Sequence, residues 1–219
     1  MARGSSTLTP VKGKPGLFHN AMTGKYTYIA EWREDNKYDT VGLDSGSQAA
    51  GTEKNFFRDL SNKYSDATNM TTARRLPAGE EMIIDRIWCS VRSAYGNNVA
   101  LPADVKKILE NGYVKFQVNR KDVAEGPMIM FPSGYGVYGS TTENAAGIVS
   151  NGVPSVAAAP KLKREQYITS DHDLDAVLKF YDCTTWTTTT PGSPSQPSLS
   201  QDAFATVGFH GLVRAAATK

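Results

Sequence analysis

"EMIIDRIWCSVRS", residues 81–93, is apolar at strand length and apolar on both parities. Met82, Ile84 and Trp88 fall on one parity, and Ile83, Ile87, Cys89 and Val91 on the other. A strand that alternated simply, with one wet face, would not read this way. The run predicts either a strand covered on both faces or a bulge that moves the apolar set from one face to the other. Trp88 is expected in the core.

Working outward, "YVKFQVNRKDV" (113–123) alternates Val114, Phe116 and Val118 against Tyr113, Lys115, Gln117 and Asn119, a half-buried strand followed by a turn at "NRKD". "KLKREQYITS" is a further strand. "DLDAVLKFYDC" (173–183) places Leu174, Ala176, Leu178 and Phe180 on one face, and "AFATVGFHGLVRAA" (203–216) alternates to the chain's end. Upstream, "KYTYIAEWR" (25–33) and "KYDTVGL" (37–43) predict a hairpin turning at "EDN". Two segments predict short helices. "EKNFFRDLSNKYS" (53–65) carries Phe56, Phe57, Leu60 and Tyr64 on one face. "LPADVKKILENG" (101–112) has Pro102 in its first turn and Gly112 at its stop. About eight short strands, one or two helices and no strand–helix alternation imply a mainly β protein, an antiparallel β-sandwich of jelly-roll type with long loops.

The chain has 219 residues, 40% apolar and 21% charged, with a formal net charge of +2. That suits a single sandwich domain and excludes a strong global field for nucleic acid or membranes. The charge is unevenly placed. Residues 1–30 hold Arg3, Lys12, Lys14 and Lys25 and no acid. Residues 1–24 therefore read as a flexible basic arm, either solvated or touching a neighbour or a polyanion, and 25–219 as one jelly-roll domain. Its "TTWTTTTPGSPSQPSLSQ" (184–201) is an uncharged Ser/Thr/Pro-rich insertion. No segment has the length and apolarity of a membrane span, and no apolar leader precedes the arm, so synthesis in a cytoplasm without membrane insertion is expected. Cys89 and Cys183 both lie in apolar strand-like runs and read as buried free thiols, a disulfide between them remaining open.

Little in the sequence carries catalytic chemistry. His19, His172 and His210 stand far apart, without an H-x-H pair, and "SDHDLD" (170–175) reads as a polar turn. No phosphate loop, nucleophile elbow or cysteine ligand spacing is present. No enzyme activity, metal or cofactor is expected.

The distinctive feature is "EGPMIMFPSGYGVYGS" (125–140), apolar but broken by Gly and Pro, with 126–160 carrying Glu143 as its one charge. Part of it is expected to fill the core. The rest would be costly to leave in water, whereas an interface core favours aromatics and Met and disfavours charge. Phe131, Tyr135, Val137, Tyr138 and, in the second uncharged tract, Trp186 are the expected subunit-interface residues.

Two blocks carry a resemblance: "NFFRDLSNKYSDATNMTTARRLPAGEEMIIDRIWCSVRS" (55–93) and "ILENGYVKFQVNRKDVAEGPMIMFPSGYGVYG" (108–139), with "ATVGFHGLVRAA" closing the chain. Together, over about half of the chain, they resemble jelly-roll structural proteins of bacterial virions. The resemblance implies a capsid protein that self-assembles into an icosahedral shell, located in the virion. Its partners would be copies of itself and other virion proteins, with weak contact to packaged nucleic acid through Arg3, Lys12, Lys14 and Lys25. The alternatives are a decoration, cement or spike protein, and a carbohydrate-binding sandwich in which Trp32, Trp88 and Trp186 would form a stacking platform.

Overall fold

The computed structural model describes residues 8–14, 16–28, 31–47, 52–93, 102–133, 138–140, 148–150, 159–180, 198–199 and 202–215. In chain order the strands are β1 (Leu8–Pro10), β2 (Leu17–Asn20), β3 (Tyr26–Tyr28), β4 (Trp32–Leu43), β5 (Gly46–Ser47), β6 (Glu53–Phe56), β7 (Glu81–Ser93), β8 (Gly112–Val118), β9 (Lys121–Pro127), β10 (Tyr138–Ser140), β11 (Ile148–Ser150), β12 (Lys161–Thr169), β13 (Leu174–Phe180), β14 (Ser198–Leu199) and β15 (Ala203–Arg214). A helix α1 (Pro102–Asn111) leads directly into β8, and Met128–Met130 form one 3-10 turn.

Eight of these strands build two four-stranded antiparallel sheets, ordered β12-β7-β15-β4 and β6-β13-β8-β9. Counted along the chain from β4 as the first to β15 as the eighth, the sheets read 6-3-8-1 and 2-7-4-5. Successive strands thus alternate between the sheets except at the β8–β9 hairpin, which is jelly-roll order.

β7 meets both expectations raised by its sequence. Pairing with β15 runs one to one except at the step from His210 to Gly211, where Asp85 is the extra residue between Ile84 and Arg86. The bulge shifts the inward parity: Met82 and Ile84 face the core before it, and Ile87, Cys89 and Val91 after it. Ile83 stays on the outer face, covered in a separate cluster by Leu8 and Trp32, with Phe18, Tyr167 and Leu212 partly buried around them. The shift also moves Trp88 out of the inter-sheet core expected for it. Its indole lies on the outer face over Gly208 and donates from Nε1 to Asn36 Oδ1 at 3.2 Å.

The core between the sheets is aromatic at its centre. Phe209 packs against Phe57 and Phe116 at centroid distances of 5.6 and 5.5 Å, and Phe131 against Phe116 at 5.4 Å. Ring pairs of this offset and edge type add to simple burial.

Three expectations are corrected. No turn interrupts "EDN": β4 pairs with β15 over all twelve of its residues, from Trp32↔Arg214 to Leu43↔Ala203, and that ladder overrides local turn preference. The segment 53–65 is not a helix. Its first residues pair with β13, and Phe57 then takes a left-handed φ of 63°, which ends any regular element. Within the arm expected to be irregular over 1–24, the described part forms strands β1 and β2, which β3 just beyond it completes as a three-stranded antiparallel sheet. Asn20 secures one of its turns by accepting from the Met22 and Thr23 N–H groups at 2.9 and 3.3 Å, and Leu8 and Phe18 seat the sheet on the cluster over Ile83.

Edge strand β4 points Lys37 and Asp39 inward, where a core strand would carry apolar residues. The connection 57–80 wraps this open side and supplies their partners. Glu80 meets Lys37 at 2.6 Å. Lys63 donates to both Asp39 oxygens at 2.7 and 2.8 Å, and the Phe57 N–H donates to Asp39 Oδ2 at 2.7 Å. Inward charges of this kind discourage edge-to-edge pairing with another sheet. The same connection is tied to β13 by Arg58 and Arg74, whose guanidinium groups lie 2.9 and 3.3 Å from the buried Asp175 carboxylate.

Candidate functional site

The topology sorts the connections by chemistry. Registers place the end of β4, the start of β15 and the end of β7 together through Leu43↔Ala203↔Ser93. In the other sheet they place the end of β13, the start of β8 and the end of β9 together. The chain therefore leaves the sandwich at one end for the connections 44–52, 94–111, 128–160 and 181–202. Short pairings tie two of these: β14 joins β5 through Ser198↔Ser47 and Leu199↔Gly46. At the opposite end lie the connection 57–80, the turn Asn119–Arg120 with both φ values positive, and the polar turn 170–173. In that last turn His172 Nδ1 accepts from the Thr169 N–H at 3.0 Å. Both nearly uncharged tracts, 126–160 and 184–201, depart from the same end.

Residues 125–133 explain how the apolar stretch begins. Pro127 ends β9, and the single 3-10 turn buries Met128 and Phe131, three apart, while exposing Ile129 at 47% and Met130 at 60%. Gly126 sits at φ +156, where a Cβ would crowd Met130 Sδ at 3.2 Å. The chain then crosses to the other sheet. The Cys89 N–H donates to the Phe131 carbonyl at 2.7 Å, and Pro132 bridges Cys89 in parallel. This short piece lies beside the half of β7 that β12, which pairs with it from Glu81 to Arg86, does not reach.

Of the expected interface residues, Phe131 is 6% exposed and belongs to the core of this chain. The outward apolar side chains beside it are Ile129 and Met130, and of these the sequence did not single out Ile129. The signal was the spacing of Met128 and Phe131, which marks one helical turn with two buried and two open positions. Tyr138 lies in β10, paired with Ser150 of β11. Tyr135, Val137, Trp186 and Arg3 fall outside the described residues. Lys12 and Lys14 stand exposed in the β1–β2 turn, and Lys25 in the β2–β3 turn at the other end of β2. They form no single patch.

Other sequence candidates separate in the same way. Cys89 is a free thiol, wholly buried, and burial pushes its pKa well above the ordinary thiol value. Cys183 falls outside the described residues. Trp32 and Trp88 are 7% and 9% exposed, so these two offer no open stacking platform. Trp32 Nε1 donates to Thr27 Oγ1 at 3.1 Å, and the Arg214 guanidinium lies 5.7 Å from the ring centroid. His210, on the outer face beside the β7 bulge, pairs through Nδ1 with Asp85 Oδ1 at 3.0 Å. Among the described residues no three His, Cys, Asp or Glu are grouped to hold a metal ion, and no helix is long and apolar enough to cross a membrane.

Comparison with protein-family models, with curated proteins and with solved structures finds no match for this chain.

Proposed function

We propose that the chain is a virion structural protein, a capsid subunit whose copies tile into a closed shell of a bacterial virus. The observation that carries this reading is that both low-charge tracts leave and rejoin the sheets of a jelly roll at the same end. Two facing sheets bury their own apolar surfaces and need no partner. The tracts at 126–160 and 184–201 have length and little charge, and they carry the aromatic residues Tyr135, Tyr138 and Trp186 and the apolar Val137. Such segments gain by being covered, and the copies of a shell subunit cover one another. Ile129 and Met130 add apolar surface where the first tract begins. A stable contact of this kind would bury on the order of 1,000 Å² or more. Lys12, Lys14 and Lys25, with Arg3, would give packaged nucleic acid a weak and salt-sensitive contact.

The test is the size of the purified full chain by light scattering, at low and high salt, with electron microscopy of the same sample. Large regular assemblies are expected, and Tyr135→Asp or Trp186→Asp should dissociate them without lowering the melting temperature of the subunit. A clean monomer at high protein concentration in both salts would overturn the reading.

A further inference from the structure

We infer that the open side of the sandwich between β4 and β6 is a binding site for a neutral oligosaccharide. A cleft of about 670 Å³ opens there, walled by the 57–80 connection, and a second of about 350 Å³ adjoins it on the outer face of β7. Both volumes fall in the range of small-molecule sites, about 300–1,000 Å³. Arg92 and Asp66 line both clefts. Arg92 Nη2 donates to the Asp66 carbonyl at 3.1 Å, and the two side chains pair at 3.5 Å, so one ion pair divides a continuous surface into two compartments. Two joined compartments suit a ligand of linked units.

The lining has the chemistry of sugar recognition. Tyr64 is 80% exposed and presents an open ring to the larger compartment, where Phe204 also lies with the Arg92 guanidinium 5.4 Å from its centroid. Aromatic faces of this kind pack against the C–H face of a pyranose. Asn55 lines the same wall, and its buried Oδ1 has no hydrogen-bond partner among the described residues. Asn62, held at a left-handed φ of 58°, and the Asp59 carboxylate, fixed by the Ser61 N–H at 2.9 Å, add polar groups on the loop side.

Charge selects a neutral ligand. Every cation lining the larger compartment already faces a carboxylate: Lys63 with Asp39, Arg58 with Asp175, Arg92 with Asp66 and Lys54 with Asp44. Glu53 is matched by Lys179. Among the described lining residues no cation is left over for an anionic sugar. The same pairs fix the walls before any ligand arrives, which lowers the ordering cost of binding.

The site does not depend on shell assembly, and light scattering of the same sample reads assembly separately. The test probes the full chain on a printed array of neutral and acidic glycans and confirms hits by titration with the free oligosaccharide. Neutral glycans are expected to bind, and Tyr64→Ala to weaken them by about tenfold or more while the melting temperature stays unchanged. Asn62→Ala should weaken them in the same direction. Absence of any glycan binding, binding confined to acidic glycans, or affinity indifferent to Tyr64→Ala would each overturn the inference.

Discussion

Asp85 and His210 meet across a one-residue bulge, Oδ1 to Nδ1 at 3.0 Å, on the outer face of the sheet that holds the longest strands. Burial works to raise the Asp85 pKa. The hydrogen bond with His210 and the charges of His210, Arg86 and Lys161 outweigh it and hold the carboxyl below its ordinary value. A carboxylate lowered on folding contributes stability that is present above its unfolded pKa and lost as pH falls through the folded one. Asp85→Asn should therefore be less stable than the parent near neutral pH, and the gap should close as pH drops through the carboxylate range. Urea midpoints at about pH 7 and about pH 3 read this directly. An equal gap at both would show that the pair carries no linkage.

The bulge also makes a demand on its neighbour. A Cβ at Gly211 would run into the Ile83 carbonyl, which is backbone and has nowhere to go. Gly211→Ala should cost about 1–3 kcal/mol, the usual range for overpacking. A thermal shift within error of the parent would mean that the strands can separate there without penalty.

Gly208 is required for a different reason. The Trp88 indole occupies the space that a side chain at 208 would need. Gly208→Ala should displace the ring, break its bond to Asn36 and shift tryptophan emission to longer wavelength, at a cost again of about 1–3 kcal/mol. In a Trp88→Ala background the same change should cost far less, since neighbours that share one volume are not additive.

Asp39 and Lys63 hold the 57–80 connection against edge strand β4. Asp39 is wholly buried, and Lys63 is the one cation that contacts it among the described ion pairs. Asp39→Asn should destabilise the fold by about 3 kcal/mol, because it strands the ammonium and weakens the acceptor for the Phe57 N–H. A loss below about 0.5 kcal/mol in denaturant would place the pair with surface bridges.

Cys89 should be inert to thiol reagents in the native protein. It is buried and its thiol is held neutral, so iodoacetamide labelling of this position should follow global unfolding. Labelling at a rate unaffected by denaturant would contradict its place between the sheets.

Much of the framework was readable in the residues alone. Strict alternation in 113–119 and 203–216 marked β8 and β15, the apolar run at 81–93 marked β7, and Pro102 with Gly112 bracketed α1. These signals survive because burying one face of a strand or helix imposes a period that no later contact can erase. The low-charge tracts were equally visible, since charge is a property of composition.

What needed the tertiary structure were the features set by a partner strand rather than by local sequence. β4 runs straight through "EDN" because β15 pairs with every residue of it, and 53–56 is a strand because β13 is there to receive it. Trp88 faces outward because one inserted residue, Asp85, reverses parity before it reaches the tryptophan. Phe131 lies inside because its carbonyl takes the Cys89 N–H. The sequence by itself determined the strongly periodic strands β7, β8, β13 and β15 and the helix α1, and that their apolar faces must be buried. Only three-dimensional pairing decided which face each side chain took and which loops share an end, because register and connection order join residues far apart along the chain.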